Sequence, residues 1–305
     1  MTSRDVDAMT TATDAAAEPE SPTAGTPVSM RSVPRRLRRN PLGLTGGLLL
    51  ALLAGLCFLG PLFHPTDQTT VDLVNAALPP GPGHPLGTDT NGFDVLGRLM
   101  EGGRVSLQIG LLAAIFATTI GTVYGAVAGL AGGVVDGFLM RLVDVLLSVP
   151  FLFFVLILSA RFHANALSLS LVIGGFSWLI SARLVRGEVL TLRVREFVLA
   201  AQVMGSSRRR LILTHLIPNA LGVIIVNITF QVADAILVVA ALGFLGFGLT
   251  YPTADWGSQL ASGVTYISAG YWWLIYPVGG CIILTVLALN LLADALRNAV
   301  GRRAD

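Results

Sequence analysis

Few residues in this chain carry groups able to do chemistry, and they are scattered. Asp234 stands alone within an apolar run, where a carboxylate must be protonated, paired or facing water. Arg141 and Asp144 lie three residues apart, a spacing at which two side chains on one helix can meet. Charges inside apolar segments can form a proton relay or a structural pair. Pairing is preferred here, because an unpaired charge at the centre of a span costs about 2.5–3.5 kcal/mol and a paired one near its end far less. His64, His84, His163 and His215 are widely separated and show no metal-ligand spacing. No nucleophile elbow, catalytic carboxylate pair or nucleotide fingerprint is present. All 20 basic residues are arginine, so a phosphate-cradling loop with its Gly-Lys-Ser/Thr core is excluded. Any work driven by ATP must therefore use nucleotide held by another subunit. Cys57 and Cys281 fall in apolar runs and read as small hydrophobes, without support for a disulfide.

Those sparse groups sit in a chain that is 53% hydrophobic and 12% charged. A soluble domain carries about 25% charged residues, so the composition is that of a membrane protein. Stretches long enough to cross a hydrocarbon core of roughly 30 Å predict six spans, at 42–63, 106–129, 138–160, 167–185, 220–242 and 273–292. The expected fold is all-α and integral to the membrane, with a membrane domain at 36–303. Residues 1–35, rich in Thr, Ala, Ser and Pro, predict a disordered tail. With six spans, Arg31, Arg35, Arg36, Arg38 and Arg39 fall on the same side as Arg141, Arg183, Arg186, Arg193, Arg195, Arg208–Arg210, Arg297, Arg302 and Arg303. The other side keeps Arg98, Arg104 and Arg161. The excess places both termini and the loop 187–219 in the cytoplasm. The Arg208–Arg210 run is explained by that orientation and by anionic lipid rather than by nucleic acid.

Within that loop, the spacing predicts a short helix carrying Phe197, Ala200, Ala201 and Met204. Gly205 follows, where a positive φ is cheap and the chain can turn. A second, basic helix then leads to His215 and to Pro218, placed where the next span should start. The two helices form a knob over 196–219 that projects from the membrane. Small residues at 200 and 201 would let another protein approach closely.

Ala-Ala-x-x-x-Gly, nine residues, then His-x-Ile-Pro resembles the coupling loop of ABC-importer permeases, with Leu199 where that family has glutamate. Other segments resemble the oligopeptide/dipeptide subfamily. His84-Pro-Leu-Gly-Thr-Asp-Thr-Asn-Gly-Phe-Asp-Val-Leu-Gly-Arg98 is similar to its HPLGTDxxGRDVLSR segment; physically it is a turn-rich stretch entering a helix, with Asp94 as N-cap. Arg141 to Pro150 fits RxxDxxxSxP, Gly243 to Gly248 with Asp255-Trp-Gly resembles LSFLGLG and P-x-WG, and Asn290 to Arg297 resembles NLLGDxLRD with Ala293 in place of Gly. This resemblance implies a type I importer permease, not an enzyme. It further implies a second homologous permease, two ATPase subunits binding ATP and Mg, and an extracytoplasmic binding protein. The implied location is the bacterial cytoplasmic membrane. Glu196, Phe197, Ala200, Ala201, Met204, Gly205, His215 and Pro218 would make the ATPase-coupling loop. Asp234 would either line the path and meet a peptide's amino terminus or bond a neighbouring helix. Relatives also carry nickel complexes, glutathione and other small solutes. A stand-alone secondary transporter is the rival class, but it favours paired ionisable groups at the midplane.

Overall fold

A computed structural model describes residues 40–161, 165–249 and 252–301. The expected tail 1–35, the arginines at 31–39, His163, Arg302 and Arg303 lie outside the described residues. The architecture is all-helical: α1 Pro41–Phe63, α2 Val95–Ala131, α3 Gly133–Leu147, α4 Phe151–Arg161, α5 Ala166–Leu192, α6 Glu196–Val203, α7 Arg208–Phe244, α8 Trp256–Val264 and α9 Tyr276–Gly301. Among the described residues five helices are long and apolar enough to cross a membrane, and six spans result if a bent pair counts as one.

That pair corrects the expected continuous span at 138–160. α3 and α4 meet at 75°. Pro150 lies in the break, and it lacks the N–H that would continue the helix across it. Apolar residues on both sides hid the interruption. The second span is longer than expected, because the helix capped by Asp94 runs without a break into it. Asp94 Oδ1 accepts from the Gly97 N–H at 2.7 Å, as its side-chain type suggested.

α2 and α5 run parallel and form the tightest seam. At Gly121, Gly125 and Gly129, one turn apart, α2 lies against Ser181, Ala182 and Val189 of α5. A Cβ at Gly125 would stand 2.4 Å from the Ala182 carbonyl oxygen, and one at Gly174 2.7 Å from that of Ala113. Small residues allow this backbone approach, and membrane helices gain by it because packing rather than hydrophobicity drives their association. α7 crosses the seam antiparallel to both. Asn227 Nδ2 donates to Ser181 Oγ at 2.7 Å, and Gln231 Nε2 donates to Ser181 Oγ at 2.8 Å and to the Ser177 carbonyl at 3.0 Å. α1 and α9 pack antiparallel on the other side, where Gly46 abuts the Ala288 carbonyl. Cys57 and Cys281 are free and share that core cluster with buried Trp256.

Candidate functional site

The knob is built as two helices joined by a glycine turn. α6 ends in a pair of bonds that close a left-handed turn: Ser206 N–H to the Ala201 carbonyl at 3.0 Å and Gly205 N–H to the Gln202 carbonyl at 2.9 Å. Gly205 has φ +82°, and space around its missing Cβ is open. Ser207 then caps α7, accepting from Arg210 N–H at 3.4 Å.

α6 divides the expected residues between two faces. Val198 and Ala201 are 0% and 1% exposed and pack with Leu211, Leu216 and Ala220 of α7 and with Val189 and Leu192 of α5. Phe197 and Met204, at 42% and 79% exposure, point outward with Ala200 and Glu196. Ala201 is therefore small because its own chain presses on it. Ala200 is the alanine left open to another surface.

Pro218 stands in the first turn of the α-helical stretch Ile217–Phe244, as expected, but helical winding does not begin there. α7 runs through it from Arg208 to Phe244. The stretch Leu211–Leu216 just before it is wound as a π-helix, with Ile217 N–H bonding the Ile212 carbonyl. Proline removes a donor and crowds the carbonyl four residues earlier, and a wider turn relieves both. Asn219 Nδ2 donates to the His215 carbonyl at 2.6 Å, tying the widened stretch to the regular helix.

Above the knob, arginines of α5 are fixed to α2 and α3. Arg186 holds Asp136 with two bonds, Nε to Oδ1 at 2.5 Å and Nη2 to Oδ2 at 2.7 Å. Arg193 Nη1 donates to the Gly129 carbonyl at 3.0 Å, and Arg183 pairs with Asp144 at 2.5 Å. The partner of Asp144 is thus Arg183 on α5 rather than Arg141 on its own helix. The local i, i+3 spacing was available, but tertiary packing supplied a different cation.

Asp234 lies on the exposed side of α7, near exposed Leu237 and Phe244, and makes no ion pair among the described residues. Among the described residues no neighbouring helix bonds it, which leaves this carboxylate for whatever faces α7.

The opposite end holds a group that sequence spacing did not reveal. Asp94, 4% exposed, accepts His84 Nδ1 at 2.9 Å and contacts His64 Nε2 at 3.3 Å while capping α2. The loop is fixed from both sides: Thr88 Oγ1 donates to the Asn75 carbonyl at 2.6 Å, and Trp273 Nε1 donates to the Thr88 carbonyl at 3.2 Å. Burial raises the Asp89 carboxyl above its ordinary range, against the backbone N–H groups of Phe93 and Asn91 that lower it. Asp67 nearby is exposed and held below its range by bonds from Thr70 and Thr69. On the same end, Gly243, Gly248 and Gly257 close around buried Asp255 and the Ala240 carbonyl, and Trp256 Nε1 donates to the Leu99 carbonyl at 3.0 Å. These motif residues lock α8 against α2 and α7. The histidines could have been grouped only by knowing that 64, 84 and 94 fold together.

The sequence has counterparts among known proteins. Residues 121–305 match the binding-protein-dependent transport system inner membrane component, and residues 30–80 match the N-terminal TM domain of oligopeptide transport permease C. The oligopeptide transport system permease protein OppC of Escherichia coli (strain K12) is 40% identical over 87% of this chain and 88% of its own length. OppC of Bacillus subtilis (strain 168) is 36% identical over 87% of each chain. The dipeptide transport system permease protein DppC of Bacillus subtilis is 36% identical over 87% of this chain and 83% of its own. The chain belongs to the family of inner-membrane components of binding-protein-dependent transport systems and is a permease subunit, a transport component and not an enzyme.

Proposed function

We propose that this chain forms half of the translocation path of an ATP-driven importer of di- and oligopeptides, with the 196–219 knob as its coupling element. The named relatives support the cargo class. The observation carrying the coupling reading is the outward row Phe197, Ala200 and Met204 on a short helix held rigidly against α5 and α7. An apolar row on a fixed helix is what a partner's groove receives. Two ATPase subunits would bind ATP and Mg, since this chain has no lysine to cradle phosphate. A second homologous permease would close the path against the α7 face that carries Asp234, where a carboxylate suits a peptide's amino terminus. An extracytoplasmic binding protein would deliver cargo at the opposite end. The arginine excess supports placing the knob and both termini in the cytoplasm of a bacterium, at its cytoplasmic membrane.

The knob's second helix is continuous with a span, so its displacement is passed directly into the bundle. Co-purification with an ATPase, followed by uptake of a labelled tripeptide into proteoliposomes, tests the reading. Uptake should require ATP and both permeases. Uptake driven by an ion gradient with no ATPase present would overturn it. Cysteines placed near Thr88, at exposed Asn91, and at Ser262 should react with an impermeant reagent from outside, and one at Ser206 should not.

A further inference from the structure

The tip of the knob is strongly basic. Residues 193–215 hold five arginines and one acid, Glu196. Arg193 is taken up by the Gly129 carbonyl at 3.0 Å. Arg195, Arg208, Arg209 and Arg210 are exposed and make no ion pair among the described residues. Arginines nearer the bundle differ, since Arg183 and Arg186 are held by Asp144 and Asp136. Successive helical residues point about 100° apart, so arginines at 208, 209 and 210 cover most of the first turn of α7.

Distance takes these cations away from the bilayer. Trp272 and Tyr276, exposed where α9 begins, mark the water boundary at the end away from the knob. From Tyr276 to Val300, α9 rises about 36 Å, more than a hydrocarbon core of roughly 30 Å. Gly222 of α7 lies level with Val300, whose Cγ1 stands 2.5 Å from where a Cβ at Gly222 would be. Arg208 precedes Gly222 by 14 residues, which puts it roughly 20 Å further along the rod. That is about two Debye lengths at physiological salt. The anionic headgroups that the sequence suggests for this run are screened from it.

The same cations bracket the apolar row of Phe197, Ala200 and Met204. Arg195 directly precedes α6, and Arg208 follows the Gly205 turn at its other end. A groove that receives the row therefore has its edges beside arginine at both ends of the helix.

We propose that the knob recognises an ATPase groove with an apolar floor and an acidic rim, and that Arg195 and Arg208–Arg210 steer the two together. The inference rests on the coupling reading and adds to it the chemistry of the partner's surface. Charges at a rim act over a Debye length and speed encounter, whereas apolar contact at the floor sets how long the complex lasts. The two contributions therefore separate into association and dissociation rates.

The test holds the full chain and its partner permease in nanodiscs of phosphatidylcholine. The transporter's own purified ATPase is added at about 50, 150 and 500 mM NaCl, and both rates are read by interferometry. Association should slow steeply with salt, and dissociation little. Arg208→Gln, Arg209→Gln and Arg210→Gln together should slow association about tenfold at the lowest salt and flatten its salt dependence, with dissociation changed by less than about twofold. Lysine at the same three positions should keep the steep dependence, because steering needs charge rather than guanidinium geometry. A glutamine variant that associates like the unaltered chain at every salt would overturn the proposal; if Ala200→Glu still abolished capture, the coupling reading would stand. Capture unaffected by Ala200→Glu would overturn that reading and this one with it. A glutamine variant that lost only its retention on phosphatidylglycerol vesicles without ATPase, with association rates intact, would assign the run to lipid and overturn the proposal equally.

Discussion

The α2–α5 seam and the α6 knob both depend on small residues, but for opposite reasons. At Gly121 and Gly125 the partner backbone already occupies the position a Cβ would take. At Gly205 nothing lies within 4 Å of it, and the constraint is the backbone angle alone. The seam has spent its space on the chain's own helices. The knob keeps an apolar row uncovered and spends only what fixes that row in place. A residue type therefore says little about its role until one knows what stands opposite it.

The seam should fail first and hardest. Gly125→Leu puts bulk against the Ala182 carbonyl and the Arg186 N–H, and should cost about 3 kcal/mol or more. Little folded protein should be recovered from membranes, whereas Gly47→Leu, facing open space, should be recovered normally. Comparable yields from the two would remove the contrast. Next comes Gly205→Val, with a local strain of about 1–3 kcal/mol from a β-branched residue at positive φ. Protein level should hold while ATPase pull-down and peptide uptake are lost. Gly205→Asn, which tolerates the left-handed region, should keep most of both.

Ala200 and Ala201 sharpen the comparison within one helix. Ala200→Glu should abolish ATPase capture with the melting temperature unchanged, because its side chain meets only water in the isolated chain. Ala201→Glu buries a charge among Val198, Leu211 and Leu216 and should lower the melting temperature first. Identical behaviour of the two would mean that the helix presents a different face. The smallest effect concerns Asp89. Burial raises its folded pKa, so the folded chain binds that proton more readily than the unfolded chain. Its stabilising contribution is full below about pH 4 and fades as pH rises through the raised value. Asp89→Asn should flatten this slope in melting curves taken from pH 4 to 7.

Much of this was legible in the sequence where a single segment carried the signal. Apolar length marked the spans, the carboxylate of Asp94 announced a cap, and Gly205 announced a left-handed turn. Whatever depended on a second segment was not legible. Asp144 found Arg183 across a helix interface, and His64 and His84 met on Asp94 from separate turns. Ala201 turned inward because α7 lies behind it. Pro150 was visible, but composition on either side was that of an unbroken span. Pro218 marked the start of the regular α-helix, but the π-wound turns that join it to the basic stretch before it left no mark in hydropathy.

Those π-wound turns bear on where Asp234 points. A helix advances 100° and 1.5 Å per residue, and Asp234 lies 26 residues beyond Arg208, roughly 39 Å along the same rod. The six residues Leu211–Leu216 hold their loops one residue wider than an α-helix does. Were they to tighten to α-helical winding, the slack of about one residue would pass up the rod as a screw motion. Everything beyond would turn by roughly 100° and slide by about 1.5 Å. A carboxylate that faces outward from α7 in one winding would then face a neighbouring helix in the other, moved by a change of pitch at the far end of the rod and no bending along it.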